Sequence, residues 1–187
     1  MGGAAHLVSI VGKIREAKPE ATIELLTSDF DGNLEALDTI LRAKPEIFNH
    51  NIETISRLTG RVRHRASYQR TLSILKYASS HRYHPSMKIK SGLMLGLGED
   101  EDEVRETLRD LKTAGCDLVT IGQYLQPNRN KLLVKAFIHP DQFKKYADYG
   151  HSIGLSYVYA GPFIRSSYNA DLVLSKLNGE QVSISSD

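Results

Sequence analysis

Polar and glycine residues follow every apolar stretch that this sequence predicts to be a β-strand. These strand ends read Thr27 to Phe30, Asn49 to Glu53, Gly96 to Glu99, Gln123 to Pro127 and Gly161 to Tyr168. One junction of this kind is explained by an ordinary turn. Five favour a shared ligand site, because the parallel strands of a βα fold gather their carboxyl ends at one edge, where ligands bind.

The most prominent of these strand ends is the glycine turn Gly96-Leu97-Gly98, which acidic residues follow from Glu99 to Glu103. Glycines let the backbone approach a ligand closely, and the amides of a helix N-terminus can meet an anion or a ribose. A βα turn that binds nothing has the same pattern, since Gly-x-Gly is a short and common motif. The turn by itself therefore leaves ligand binding undecided.

Predicted helices alternate with predicted strands along the chain. The apolar patterns predict strands over residues 23–27, 47–51, 89–95, 118–125 and 156–160. Their separation of roughly 25–35 residues is typical of βα units, whose strands pair in parallel through right-handed crossovers. The sequence therefore predicts an α/β fold with a parallel sheet, which is either open or closed into a barrel.

The composition limits the function classes. The chain has 187 residues, a net charge of +2 and a single cysteine, Cys116. That charge gives no support for nucleic-acid binding, and no apolar run approaches the roughly 20 residues that a membrane span needs. One cysteine excludes an internal disulfide framework and a cysteine-built metal site within this chain. The N-terminus lacks the basic and apolar regions of a signal peptide, so we expect a soluble intracellular protein.

Six motifs of this chain resemble those of lipoyl synthase, a family of radical S-adenosylmethionine enzymes. They are Gly2-Gly3-Ala4, Thr27 to Gly32, Asn49 to Thr54, Ser91 to Glu99, Gly122 to Pro127 and Gly161 to Tyr168. They stand in the family's order and at its spacing, and they extend from Gly2 to about Leu172. The last two motifs together are the most specific part of the match.

The resemblance implies a partial (βα) parallel barrel of the radical SAM type that lacks its first strand or strands. The barrel would occupy residues 1–177, and residues 178–187 would form a polar tail. The family carries two cysteine triplets upstream of Gly2, and neither is present here. Cys116 follows Gly115 at the opposite end of the predicted barrel, so it does not replace them. We therefore expect the C-terminal part of a longer enzyme, from a truncated or split gene, which is inactive alone.

The chemistry that the resemblance implies is the insertion of two sulfur atoms into a protein-bound octanoyl chain. Its cofactors would be S-adenosylmethionine and two 4Fe–4S clusters, one of which is consumed as the sulfur source. Its partners would be an octanoylated lipoyl domain or the glycine-cleavage H protein, and an electron donor such as ferredoxin or flavodoxin. The expected location is the cytoplasm of a bacterium or an organelle of a eukaryote.

The resemblance also implies a set of cofactor-binding residues. It assigns Gly96, Gly98 and Glu99 to the segment that lies against S-adenosylmethionine. Asn51 and Glu53 would hold the ribose or the amino group of the cofactor, since a carboxylate is a natural partner for an ammonium. The alternative for Glu53 is a carboxylate that favours a helix start.

Three further polar residues are candidates for the same site. Arg63 and Arg65 would meet the carboxylate of the cofactor, and Gln123 would contact the cofactor or the substrate. Both arginines belong to a basic connection, residues 52–67, which has two other interpretations. It is a solvated loop, or it is a patch that steers an acidic carrier domain towards the enzyme.

A serine of the last motif is the fourth ligand of the auxiliary cluster in the family. The resemblance implies this role for Ser167, which precedes Tyr168. An oxygen atom binds iron less softly than a thiolate does, so it is released more easily when the cluster gives up sulfur. The alternative is that Ser166 and Ser167 cap a following helix.

Two hypotheses from other classes stay open at this level. The first is a non-catalytic βα module that has kept only a surface for the lipoyl carrier domain. The second is an unrelated phosphate-binding βα enzyme that uses the Gly96-Leu97-Gly98 turn. The second hypothesis predicts no role for Arg165 to Tyr168.

Overall fold

Helices and parallel strands alternate along residues 3–167, which are the residues that the computed structural model describes. The strands are β1 (Glu24–Leu26), β2 (Ile47–Asn49), β3 (Lys88–Leu95), β4 (Leu118–Gln123) and β5 (Tyr157–Gly161). The helices are α1 (Ala4–Ala17), α2 (Leu34–Arg42), α3 (Ser56–Val62), α4 (Tyr68–Ser80), α5 (Glu101–Thr113) and α6 (Pro140–Ser152). No helix within residues 3–167 is long and apolar enough to cross a membrane. The predicted tail, residues 178–187, lies outside the described residues.

The five strands form one sheet in the order β1-β2-β3-β4-β5, and every neighbouring pair is parallel. Sequential order means that each connection returns to the adjacent strand, as in a (βα) barrel and unlike a doubly wound sheet. Within the described part of the chain β1 and β5 do not pair, so the sheet stays open between them. The predicted partial barrel is thereby confirmed.

The two faces of the sheet have different surroundings. Phe48, Ile89 and Val119 point outwards and belong to the main core, which the strands share with the helices. Ile47 and Leu118 point inwards and form a separate apolar cluster, against which partly buried tyrosines of β5 pack. Because side chains alternate along a strand, this separation indicates that the helices cover one face. The other face is the interior of the partial barrel.

A buried ion pair joins the edge strand β1 to the central strand β3. Lys90 of β3 is 1% exposed, and its Nζ donates to both carboxylate oxygens of Glu24 in β1, at 3.0 and 2.9 Å. Asn49, on the strand between them, donates from Nδ2 to Glu24 Oε1 at 2.6 Å. These contacts join the edge strand to the centre of the sheet.

Breaking this ion pair is expected to destabilise the fold strongly. Glu24→Ala leaves the Lys90 ammonium buried without its partner, which lowers the free energy of unfolding by about 3–5 kcal/mol. Urea unfolding followed by circular dichroism measures the loss. Arg42→Ala is the control, because it removes an exposed ion pair to Asp38 within one helix and should lose far less stability. Equal losses in the two variants would contradict the buried role of Glu24.

Candidate functional site

A cavity of about 200 Å³ opens at the carboxyl ends of β2 to β5, the edge at which the strand ends predict a ligand site. Its lining comes from the loop after β2, from the inner face of β3 and β4, and from the segment Ile164 to Ser166 after β5. The cavity therefore gathers residues from four of the five strands and their ends.

Small residues on the inner face keep this cavity open. A Cβ atom added to Gly92 would lie 2.6 Å from Thr120 Oγ1 and 3.0 Å from Asn51 Oδ1. A Cβ atom added to Gly122 would collide with the carbonyl oxygen of Ile164. Gly92 thus leaves space at the floor, and Gly122 lets the segment after β5 pass close over β4.

The backbone after β2 turns two polar side chains into the cavity. Glu53 has a φ of 70°, which is uncommon for a residue other than glycine and recurs at binding sites. Glu53 N donates to Gly92 O, and Met94 N donates to Glu53 O, each at 2.9 Å. Pairing with β3 therefore resumes beyond the end of β2, and it holds Asn51 and Glu53 at the cavity wall.

Among the described residues, Asn51 has a side-chain acceptor without a partner, and Glu53 has a carboxyl group that burial makes harder to ionise. Asn51 Oδ1 is buried and has no hydrogen-bond partner within residues 3–167. Burial raises the pKa of the Glu53 carboxyl, and the charge of Arg63 opposes part of that rise. A buried acceptor without a partner and a buried carboxylate fit a ligand that brings hydroxyl and ammonium groups. S-adenosylmethionine carries both groups.

Both arginines, Arg63 and Arg65, line a second, larger groove, and neither lines the cavity. Arg63 Nη1 donates to Asn51 O at 3.1 Å, so this guanidinium stands beside the cavity wall. Contact with the cofactor carboxylate stays a prediction for both, and Arg63 is the better placed.

The glycine turn contacts its own chain. Gly96 has a φ of 99°, and a Cβ atom there would collide with Ala136 O. Lys135 N donates to Gly96 O at 2.7 Å, while the two Glu99 carboxylate oxygens accept from backbone amides of the turn. Gly96, Gly98 and Glu99 do not line the cavity. Their contact with S-adenosylmethionine stays a prediction, whereas their part in shaping the turn is observed.

The acidic run after this turn begins a helix. Asp100 is the N-cap of α5, and its carboxylate accepts from Glu103 N at 2.9 Å. The Glu103 carboxylate accepts in return from Asp100 N at 2.9 Å. This is a capping box, and carboxylates in a first turn also interact favourably with the helix dipole. The run is therefore explained without a bound metal.

Gln123 lines the cavity, but its side chain is occupied by backbone groups. Nε2 donates to the carbonyl oxygens of Leu95, Tyr124 and Ala136 at 3.0–3.1 Å, and Oε1 accepts from Ile138 N at 2.9 Å. The amide thus ties the segment before α6 to the ends of β3 and β4. A direct contact of Gln123 with cofactor or substrate stays a prediction.

The serine motif lies at the same edge of the sheet. Arg165 Nη1 donates to Ile164 O at 3.0 Å and to Gln123 O at 3.4 Å, which holds the segment against β4. Ser166 lines the cavity, and Ser167 follows it as an exposed residue. Tyr168 lies outside the described residues. Ser167 therefore stands next to the cavity that contains Glu53, and its ligand role stays a prediction.

Gly92, Gly122 and Arg165 lie within motifs of the resemblance, but no site role was predicted for them or for Thr120. Gly92, Thr120 and Gly122 occupy alternate positions of β3 and β4, and their outward-facing neighbours Leu93, Val119 and Ile121 belong to the main core. That alternation of small and apolar residues was the available signal, because side chains of a strand alternate between faces. The contact of Arg165 with β4 had no such signal, since it depends on how the chain returns after β5.

The described residues do not fit an iron–sulfur cluster. Within residues 3–167 no three His, Cys, Asp or Glu side chains are grouped so that they could hold a metal ion. Cys116 is buried just before β4, at the end of the strand opposite the cavity, and burial raises the pKa of its thiol. A cluster requires thiolate ligands, so this cysteine does not provide one.

Relatives of known kind match this chain along its length. The model of the radical SAM superfamily matches residues 4–111. The chain is 60% identical to the lipoyl synthase of Protochlamydia amoebophila over 186 residues, which are 100% of this chain and 58% of that protein. It is 51% identical to the lipoyl synthase of Chlamydia caviae over 180 residues, 96% of this chain and 57% of that protein. The chain thus spans a little more than half of the length of these curated relatives.

Solved structures with little sequence similarity share the fold. A domain of pyruvate-formate lyase-activating enzyme from Bacteroides vulgatus superposes with a TM-score of 0.61 at 12% identity, over 84% of this chain and 91% of that one. Methylornithine synthase superposes with a TM-score of 0.56 at 15% identity, over 96% of this chain and 64% of that one. The family implies S-adenosylmethionine and an iron–sulfur cluster as cofactors. With the match over residues 4–111 and the partial parallel barrel together, the chain belongs to the radical SAM superfamily.

Proposed function

We propose that this chain forms the S-adenosylmethionine-binding and substrate-binding part of a lipoyl synthase, which inserts two sulfur atoms into a protein-bound octanoyl chain. One observation carries the proposal. The polar pair Asn51 and Glu53 and the serine motif, separated by more than a hundred residues in sequence, line the same cavity. Similarity to lipoyl synthases over the whole chain gives it independent support.

The residues of the cavity suit the parts of the cofactor. The Glu53 carboxylate pairs with the ammonium group, and Asn51 Oδ1 accepts from that group or from a ribose hydroxyl. Arg63, whose Nη1 donates to the Asn51 carbonyl oxygen, would meet the cofactor carboxylate. Apolar side chains of Met94 and Ile164 line the same cavity and limit the access of water.

Hydrogen abstraction from an unactivated carbon is the chemistry that S-adenosylmethionine and a reduced iron–sulfur cluster supply when they are bound. This chain's single cysteine does not hold such a cluster. In the proposed function, the thiolates of two 4Fe–4S clusters come from a part of the enzyme outside these 187 residues. The chain contributes the cavity, the floor and the serine motif.

The proposed substrate is an octanoylated lipoyl domain or the glycine-cleavage H protein, with ferredoxin or flavodoxin as electron donor. The cavity opens at the edge of the sheet, so the acyl chain and its lysine side chain would reach its mouth while the carrier stays outside. The phosphate-binding alternative has no support from a specific observation, because the Gly96 turn is closed by the Lys135–Ala136 segment.

Binding of S-adenosylmethionine is expected to weaken as pH falls through the raised pKa of Glu53. The ionised carboxylate attracts the ammonium group of the cofactor, and the protonated form does not. Glu53→Gln should therefore bind the cofactor about tenfold more weakly at pH 7, with an affinity that does not vary with pH. Isothermal titration calorimetry between about pH 5 and pH 8 measures both. Glu35→Gln, which removes an exposed carboxylate from α2, should leave the wild-type profile unchanged.

The raised pKa of Glu53 affects the folding stability of the free chain in the opposite direction. The unfolded chain ionises Glu53 at a lower pH than the folded chain does, so stability decreases as pH rises between the ordinary and the raised pKa. Binding and stability thus change in opposite directions over that interval. Wild-type affinity that does not vary with pH would contradict the role of Glu53 and weaken the proposed function.

A further inference from the structure

A second concavity, here called the basic groove, lies beside the cavity at the same edge of the sheet. It has a volume of about 960 Å³ and is formed by residues 28–33 after β1, by residues 62–66 between α3 and α4, and by Lys131. Arg63 lines it and also donates to Asn51 O at the cavity wall, at 3.1 Å. The groove and the cavity are therefore adjacent.

Cationic side chains dominate the basic groove. Arg63, Arg65 and Lys131 line it together with His64, and none of these three cations forms an ion pair with any residue in the range 3–167. Six of the ten other arginines in that range have a carboxylate partner, so the groove differs by gathering three unpaired cations in one concavity. A guanidinium is weakly hydrated and presents several donors, so it is suited to carboxylates of another molecule.

One arginine holds the two walls of the groove together. Arg70 of α4 donates from Nε to Asp29 Oδ2 at 2.7 Å and from Nη2 to Arg65 O at 2.8 Å. It thereby ties the loop after β1 to residues 62–66, and it neutralises Asp29 within the groove. The remaining carboxylate of the lining, Asp31, is exposed. The groove is consequently pre-organised and positively charged.

Apolar residues follow the groove along the chain. The irregular segment between β4 and α6, which includes Lys131, exposes 66% of Leu133 and 78% of Phe137. Exposed aromatic side chains and arginines are both enriched in protein interfaces. A small anion gains nothing from such side chains.

We propose that the basic groove docks an acidic protein domain, the carrier whose acylated lysine enters the adjacent cavity. The proposal rests on the proposed function, which requires a protein-bound acyl chain. Positive charge on the groove attracts carboxylates of the carrier, and this attraction raises the encounter rate and orients the domain. The adjacency through Arg63 then brings the acylated lysine to the mouth of the cavity.

The test uses the full 187-residue chain and an octanoylated lipoyl domain of net negative charge as the probe. Biolayer interferometry measures the affinity at low and at physiological salt. The double variant Arg65→Glu/Lys131→Glu is expected to bind about tenfold or more weakly, and wild-type affinity is expected to fall with salt. The matched control is Lys144→Glu/Lys145→Glu on the exposed side of α6, which makes the same change in net charge and should bind within about twofold of wild type.

Two results would overturn the proposal directly. Equal weakening in the two double variants would assign the effect to net charge, and unchanged binding by Arg65→Glu/Lys131→Glu would remove the groove from the interface. A separate experiment uses inorganic phosphate as the competitor. If millimolar phosphate displaces the domain and binds the wild-type chain but not the groove variant, the groove is a small-anion site. That result would overturn the docking role.

The cofactor assay separates this proposal from the proposed function. Lys131→Glu should bind S-adenosylmethionine as the wild type does, because Lys131 does not line the cavity. If the wild-type chain binds the domain through the groove but does not bind S-adenosylmethionine, the cofactor role fails and the docking surface is supported. If S-adenosylmethionine binds and the groove variants hold the domain normally, the docking surface alone is refuted.

Discussion

We expect Gly92→Val to weaken the binding of S-adenosylmethionine by about 100-fold or more, which corresponds to about 2.7 kcal/mol. Even a Cβ atom at this position would lie 2.6 Å from Thr120 Oγ1 and 3.0 Å from Asn51 Oδ1. The two methyl groups of valine would occupy the floor of a cavity of only about 200 Å³ and displace Asn51, the residue with the unpartnered acceptor. Isothermal titration calorimetry measures the loss.

Controls distinguish a blocked cavity from a damaged fold. Gly92→Val/Thr120→Ala removes the hydroxyl that the new side chain would meet, so it should recover thermal stability while the cavity stays filled. Gly12→Val, in α1, adds the same side chain where no atom lies within 4 Å and should leave cofactor binding unchanged. Wild-type affinity in a folded Gly92→Val chain would exclude the cavity as the cofactor site.

A second large effect is expected at the serine motif. In an enzyme completed with the cysteine triplets of a relative, Ser167→Ala should abolish sulfur insertion and spare the cleavage of S-adenosylmethionine. If Ser167 is the predicted oxygen ligand of the auxiliary cluster, this variant loses it, whereas the residues of the cavity are unchanged. Mass spectrometry of the carrier domain measures sulfur insertion, and chromatography of 5′-deoxyadenosine measures cleavage.

Ser166→Ala is the matched control for this experiment. Ser166 lines the cavity and Ser167 is exposed beside it, so the two hydroxyls face different surroundings one residue apart. Ser166→Ala should retain most of the sulfur insertion. Complete lipoyl formation by Ser167→Ala would end the ligand assignment, and it would favour the alternative that the serines cap a helix.

Much of the architecture followed from local patterns. Strands such as Lys88–Leu95 alternate apolar residues on one face with small or polar residues on the other, and helices such as α5 carry their own capping box. Both signals act over a few residues, so they are visible without knowledge of the rest of the chain. The shared edge of the strand ends followed from the parallel βα repeat alone.

The site was less predictable, because its decisive contacts join distant residues. Gly96 was interpreted as a place of close approach to a ligand, and the structure shows the close approach to be to Ala136 of the same chain. Arg63 and Arg65 are two positions apart, yet only Arg63 reaches the cavity wall. A glycine in the sequence indicates that a close approach is possible, and an arginine indicates that a hydrogen bond or ion pair is possible. Which group makes that contact depends on tertiary packing.

By itself, the sequence determined the α/β class, the sequential parallel strands, the edge that carries the polar strand ends and the absence of a cysteine set for a cluster. These properties depend on periodicity, short motifs and counting, which do not change with the path of the chain. Only the tertiary structure decided that Lys90 pairs with Glu24 across 66 residues, and that a basic groove adjoins the cavity. Such contacts depend on how β-strands and loops far apart in sequence are placed against each other, and no local pattern encodes that placement.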